Sequence, residues 1–482
     1  MRIAGLFLVL LLLPHVVSGQ EPSQTSLVIT PDETRQGEPV TLFATVAAAD
    51  EVPAGEVTFT DRTIPIGTEM LAPRATGHGQ IASGRAHTCV IGMDGVVACW
   101  GLGTWGQLGN GGNDRQPSPV RAEGIDDPVT QIAAGYHHTC ALTLAGAVWC
   151  WGYNDFGQLG TGDQNDRNLP SPVAGLPAPV AQIGANGYFT CAVTLEGDLY
   201  CWGQNFYGQI GNGNTEHQPV PVRVTTLPGS AALVAQGQTH TCAVLRNTRV
   251  FCWGRNTLGQ LGDGSGEDSL VPVPVIGGRN AALLASGGNH SCMVRTNGTV
   301  RCWGYNRYGQ LGDGTDVNRL APVRNFAAGR DVSDLALNDE HGCSVFRQSR
   351  VRCWGRNVLG QLGDDTFDDS WTGVEPHLPR SSFWAVSTYV DGSCAQGTGG
   401  VVHCWGRNDE GQAGVGSAGG IFREPQLVQG GAVIAWWRLA AFAWHRIPGG
   451  LTPRLHRFRA EYAGSETLAP SRSPRIEHRT YP

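Results

Sequence analysis

The stretch HTCALTLAGAVWCWGYNDFGQLG, His138 to Gly160, decides how the chain is read. Cys140 and Cys150 are ten residues apart, and the second leads straight into Trp-Gly. The same arrangement is set down seven times, as Cys89/Cys99, Cys140/Cys150, Cys191/Cys201, Cys242/Cys252, Cys292/Cys302, Cys343/Cys353 and Cys394/Cys404, with no cysteine left over. In an antiparallel hairpin opposed residues have a constant sum. Placing Cys140 opposite Cys150 therefore leaves Leu144-Ala145-Gly146 as a three-residue loop, which wants a left-handed glycine at its last position. Gly95, Gly146, Gly197, Gly298 and Gly400 meet that demand, while Thr248 and Ser349 depart from it. Opposed residues of a non-hydrogen-bonded pair lie close enough for a disulfide, so each hairpin is expected to be stapled to itself. Metal thiolate is the competing reading. It fits less well, because zinc sites want cysteines two to four residues apart and each isolated pair supplies only two ligands.

Alignment on Cys-Trp-Gly brings Trp100, Trp151, Trp202, Trp253, Trp303, Trp354 and Trp405 together at a period of 50 or 51 residues. A fixed period of that length means stacked units, none of which buries its own faces alone. Each unit holds a short apolar strand, the stapled hairpin, a Gly-rich turn and a Pro-Val stretch. Several short strands with frequent turns suit a radial array of sheets that closes as a ring. The tryptophans are expected to pack between neighbouring sheets.

The run CWGxNxxGQLGxG occurs as CWGYNDFGQLGTG (150–162), CWGQNFYGQIGNG (201–213), CWGRNTLGQLGDG (252–264) and CWGYNRYGQLGDG (302–314). It closely resembles the regulator of chromosome condensation repeat, which implies a seven-bladed β-propeller over residues 79–430. Gly103 stands where the other units carry Asn, and Gln412-Ala413-Gly414 replaces Gln-Leu-Gly, without threatening the fold. Propellers of this family imply protein–protein recognition, guanine-nucleotide exchange on a small GTPase among its forms. No exchange-factor residue carries over position by position.

The flanks differ in kind. Met1-Arg2, the apolar run Ile3 to Leu13 and the small residues Val17-Ser18-Gly19 read as a secretory signal over 1–19. Residues 26–73 alternate apolar and polar positions, as at Val40, Leu42, Ala44 and Val46. They resemble the first half of a bacterial immunoglobulin-like repeat, and 449–476 resemble its closing strands. A ring brings its first and last blades side by side, so both ends could enter one such sandwich. Residues 431–448 fit neither pattern; Arg438 to His445 faintly echoes the strand that opens each blade, which makes the segment a connection or a ring-closing strand. The expected class is thus all-β, a seven-bladed propeller plus a small sandwich formed from the N- and C-terminal segments.

Composition narrows the function. A net charge of -7 gives no general pull towards nucleic acid or acidic lipid. No later stretch has the length of a membrane-spanning helix. His87, His138, His240, His290 and His341 recur once per blade beside a hairpin cysteine, and ring geometry keeps most of them apart, which favours a structural role. The turn Gly262-Asp263-Gly264-Ser265-Gly266-Glu267-Asp268 faintly suggests calcium but lacks the ordered ligand spacing. No phosphate loop, nucleophile elbow or HExxH is present. Trp105, Phe156, Phe206, Tyr207 and Tyr308 recur beside the Asn-x-x-Gly turn, where inter-blade packing accounts for them and an aromatic binding face is the alternative.

The expectation is an exported, monomeric, non-catalytic scaffold without cofactor or metal, found in the cell envelope or medium, binding a protein through propeller-face loops. An adhesive module, or an extracellular enzyme with an axial-funnel site, are the other classes.

Overall fold

A computed structural model describes residues 80–429 with breaks at 93–94, 178, 347–348, 380 and 398–399; nearer the termini it describes strands within 23–73 and 439–481. Residues 1–19, where a secretory signal is expected, and residues 430–438 lie outside the described residues. The chain divides into two compact units, 75–437 and the pair 1–74 with 438–482.

The larger unit is a ring of seven four-stranded antiparallel sheets, each built from strands consecutive in sequence. In blade two they are Val129–Ala134, His138–Thr143, Val148–Gly152 and Arg167–Pro172. The first strand of each blade lines the axial channel, which encloses about 150 Å³. His138–Thr143 is buried at every position, as a strand with neighbours on both faces must be. The outermost strand Arg167–Pro172 is largely exposed and carries Pro170 and Pro172, residues that only an edge strand accommodates.

The hairpin register places Cys140 opposite Cys150 and Leu142 opposite Val148. Every hairpin is closed by a disulfide of its own. Cys89 is bonded to Cys99, Cys140 to Cys150, Cys191 to Cys201 and Cys242 to Cys252. Cys292 is bonded to Cys302, Cys343 to Cys353 and Cys394 to Cys404. Gly146 takes φ 83°, and Thr248 takes φ 64° in the same place, a strained conformation for a β-branched residue.

What joins the blades is a repeated bond. Each tryptophan is fully buried, and its indole N–H donates to a main-chain carbonyl of the preceding blade: Trp151 to Gln107, Trp202 to Gln158 and Trp253 to Gln209, each at 2.9 Å. Trp303, Trp354 and Trp405 do the same with Gln260, Gln310 and Gln361. Trp100 reaches Gln412 at 2.9 Å and closes the ring. Blade one draws its strands from 81–121 and blade seven from 383–427, so closure needs no exchanged strand. It rests on this bond and on the packing of Ile81, Val90 and Trp100 against Tyr389, Val402, Ala413 and Val428.

In the smaller unit each sheet takes strands from both ends of the chain. Val40–Ala48 pairs with Ser23–Thr30 on one side and with Leu439–Ile447 on the other. Glu56–Asp61 lies between Ile64–Met70 and Leu455–Tyr462. The strand of the 431–448 segment thus belongs to this unit's pairing and closes no blade. One of its edges pairs along its length with Val40–Ala48 and the other meets Ala72–Pro73.

Candidate functional site

The cysteines and blade tryptophans singled out from the sequence belong to the frame and converge on no common site. Cys99, Cys150, Cys201, Cys252, Cys302, Cys353 and Cys404 each sit in the third strand of a different blade, fully buried beside the tryptophan that follows. Each is bonded to its own partner on the second strand, Cys89, Cys140, Cys191, Cys242, Cys292, Cys343 or Cys394. A sulfur held in a disulfide is neither a thiolate nucleophile nor a thiolate ligand, so these residues offer support and no chemistry.

In every blade the first turn and the long loop after the third strand lie at one end of the strands; the hairpin and the crossover to the next blade lie at the other. Two side chains build the long loop. Asn154 is fully buried: its Oδ1 accepts the amide of Leu159 at 2.9 Å, and its Nδ2 donates to the carbonyls of Asp163 and Asn165. Gln158 accepts the amide of Phe156 through Oε1 at 3.0 Å. The pair fixes the backbone, and neither bond uses the side chains of the two residues before Gly157, Asp155 and Phe156 here.

This arrangement answers the calcium suggestion. In the turn 262–268, the side-chain Nδ2 of Asn256 donates to Asp263 Oδ1 at 3.0 Å and to the Ser265 carbonyl at 3.2 Å. A neutral donor occupies the centre that a cation would need. Among the described residues no three His, Cys, Asp or Glu side chains are grouped as metal ligands.

The recurrent histidines belong to the blade junctions. His87 Nε2 lies 2.9 Å from Thr139 Oγ1 of the next blade, and that hydroxyl donates its only proton to the Gln107 carbonyl. His87 must therefore donate from Nε2, which fixes its neutral tautomer. His138 with Thr190 and His341 with Ser393 repeat the relay, and His240 meets Ser291. His290 faces a blade with Gly342 at the hydroxyl position, and its ring nitrogens have no hydrogen-bond partner among the described residues. Burial holds His87, His138, His240 and His290 down to about 3 and His341 to about 4. Blade three replaces the histidine with Phe189. Blade seven has Gly392 there, and Tyr389 fills the space, its hydroxyl donating to the Trp405 carbonyl at 2.7 Å.

Beyond this uniform layer the rim differs from blade to blade. In blades one to three, Trp105, Tyr153, His137, Tyr188, Phe156 and Phe206 form a connected run of rings with centroids 5.0 to 6.5 Å apart. Tyr136 joins it through Tyr188 at 5.6 Å, and His217 through Phe206 at 4.4 Å. Most contacts are edge-to-face, the geometry that aromatic quadrupoles favour. Phe206 is 57% exposed and Trp105 39%. In blades six and seven the matching positions are charged: Arg356 pairs with Glu340, and Arg407 with Asp391 and Asp409.

The two sectors meet across the axis. The Tyr136 hydroxyl donates to both carboxylate oxygens of Asp339, at 3.3 and 3.2 Å, from blade two to blade six. Burial pushes the Asp339 carboxyl up to about 6, partly opposed by that hydrogen bond, and raises the Tyr136 hydroxyl. Burial and then the nearby Arg85 hold His137 down to about 4.

Of the aromatic residues singled out from the sequence, Trp105, Phe156 and Phe206 enter this cluster. Tyr207 and Tyr308 instead lie beneath Arg255 and Arg356 of the following blades, at 4.9 and 5.0 Å. Tyr136, His137, Tyr153, Tyr188, His217 and Asp339 escaped the sequence reading. The available signal was their setting: they lie beside recurring frame residues, at positions whose residue type varies among the units.

Fold and rim together define a disulfide-stapled seven-bladed propeller that presents a non-repeating face on a repeating frame. A family model, the RCC1-like domain, matches residues 47–284 and 180–444, and the chain belongs to that family. It is 31% identical over 377 residues to the ultraviolet-B receptor UVR8 of Arabidopsis thaliana, spanning 77% of this chain and 71% of that one. The probable E3 ubiquitin-protein ligase HERC4 of Homo sapiens is 37% identical over 203 residues, which are 41% of this chain and 19% of the ligase. Among solved structures, yeast RCC1 (Prp20) bound to Kap60 superposes with a TM-score of 0.63 at 23% identity, covering 72% of this chain and 88% of that one. Human WBSCR16 does so at 0.62 and 22%, covering 72% and 98%. These two likenesses speak to the fold.

Proposed function

We propose that the protein is an exported, non-catalytic scaffold that recognises a protein partner through the aromatic sector of its rim. The observation that carries this reading is the connected run of rings in blades one to three, with Phe206 and Trp105 open to solvent where the frame asks for nothing. Aromatic residues on a rigid support bury much area at small entropic cost, the usual character of an interface anchor. The relatives support binding: one is described bound to Kap60 and another is named a receptor. Fourteen cysteines all held in disulfides support an oxidising compartment, in keeping with the leader-like N-terminus. The terminal unit, whose sheets draw on both chain ends, is proposed to be the immunoglobulin-like domain that its sequence resembles.

The test is a pull-down from the producing cells' envelope and medium with the immobilised oxidised protein, run beside a Trp105→Ala/Phe206→Ala variant. A protein retained by the wild type and lost from the variant supports the reading. Equal retention by both places the binding elsewhere.

A further inference from the structure

At the other end of the strands, between blades five and six, lies a second cavity of about 310 Å³. Arg324, Phe326, Arg330, Phe346 and Arg352 line it, and among the described residues no acidic side chain does. Arg324 lies over the Phe326 ring at 5.1 Å and Arg352 over Phe346 at 4.7 Å. A guanidinium stacked by its face on a ring keeps its N–H edge free, which is the edge that binds an oxyanion in bidentate fashion.

Two of these cations, Arg324 and Arg330, are left uncompensated by the repeat. In blade three Arg223, the counterpart of Arg324, pairs with Asp198 at 2.5 Å. In blade five the residue matching Asp198 is Thr299, and neither Arg324 nor Arg330 forms an ion pair among the described residues. Glu375, which does not line the cavity, is shared between Arg350 and Arg352, and Arg352 keeps a buried Nε with no partner among the described residues.

The walls are fixed. Asn325, buried, accepts the Ala328 amide at 2.7 Å through Oδ1, and Ser344 donates to the Ala328 carbonyl at 2.8 Å. Gly329, at φ 89°, lets the crossover close on Phe346, where a Cβ would come within 2.8 Å of the ring. Phe346 is buried, whereas Phe326 is 63% exposed.

We infer that this cavity is a binding site for a small oxyanion carried on a flat apolar group, an aryl phosphate or an aromatic carboxylate. The arginines take the anion, and Phe326 covers the ring. Two arginines without a carboxylate partner, beside the unpaired Nε of Arg352, favour an anion between them, and the volume, at the lower limit for ligand pockets, suits a ligand of that size.

The experiment is calorimetric titration of the intact oxidised protein, at fixed salt, with phenyl phosphate, benzoate and inorganic phosphate. Phenyl phosphate or benzoate is expected to bind at least about tenfold more tightly than inorganic phosphate, and whichever of the two is tighter names the anion. Arg330→Gln, at an exposed position, is expected to weaken binding about tenfold. Phe326→Ala is expected to bring the aryl ligand down to the level of inorganic phosphate. Aryl and inorganic anions binding alike, or Arg330→Gln binding as the wild type does, would overturn the assignment.

Discussion

Blade two meets blade three through Trp202, the Gln158 carbonyl and the His138–Thr190 pair. Blade six meets blade seven through Trp405, the Gln361 carbonyl and the His341–Ser393 pair. The rims above these two junctions have nothing in common: Tyr136, His137, Tyr153 and Tyr188 cap the first, and Glu340, Arg356, Asp391 and Arg407 the second. The contrast separates two demands on one repeat. Closing the ring needs the same buried bond at every junction, because an unpaired indole N–H or carbonyl there would cost about 1–3 kcal/mol. The rim faces water and is held by the Asn–Gln frame beneath it, so its side chains are released from the repeat.

Acid should break the junctions first. A histidine in an unfolded chain titrates near 6.5, whereas burial holds four junction histidines to about 3 and the fifth to about 4. Between those values the unfolded chain binds protons that the folded chain refuses, so stability falls as the pH drops below 6.5. Asp339 acts in the opposite sense: its folded value is raised to about 6, so its contribution is present in acid and lost as the pH rises through 6. His137, held to about 4, acts in the same sense as the five junction histidines, so the net direction is unchanged. Tryptophan fluorescence should report cooperative unfolding between about pH 3 and 6. His240→Phe, which copies Phe189 of blade three, should lower the proton uptake on unfolding by about one. A fold as stable at pH 3 as at pH 7 would rule out the buried, neutral histidines.

Next in size is the tryptophan bond. Trp303→Ala removes a fully buried ring and orphans the Gln260 carbonyl, and should cost about 3–5 kcal/mol in denaturant unfolding. A loss below about 1 kcal/mol would mean that the disulfide-stapled hairpins, and not the junctions, hold the ring.

Smaller still, and of opposite sign, Thr248→Gly relieves a left-handed β-branched residue and should gain about 0.5–1 kcal/mol, less the entropy that glycine loses on folding. An unchanged melting temperature would show the strain to be offset locally.

The least effect on stability is expected at the rim. Phe206→Ala should stay within about 0.5 kcal/mol of the wild type while weakening capture of the partner by about 1–2 kcal/mol or more. A variant that unfolds more readily would make Phe206 part of the packing and erase the distinction between junction and rim.

The sequence by itself determined what is local or periodic. The hairpin register follows from Cys140, Cys150 and Gly146, all within one turn, and the closed ring from a tryptophan that returns every 50 or 51 residues. The role of the histidines was half legible: their spacing pointed to structure, but the hydroxyl that each meets comes from the next blade. Only the tertiary structure decided which non-repeating residues meet. Tyr136 reaches Asp339 across 203 residues because blades two and six face each other over the axis. The rings of Trp105, Tyr153, Tyr188 and Phe206 gather because consecutive blades stand side by side. Arg324 becomes an uncompensated charge because blade five has Thr299 where blade three has Asp198. A period specifies the frame through identical neighbours, whereas a site made of differences between repeats exists only once the ring has set their order in space.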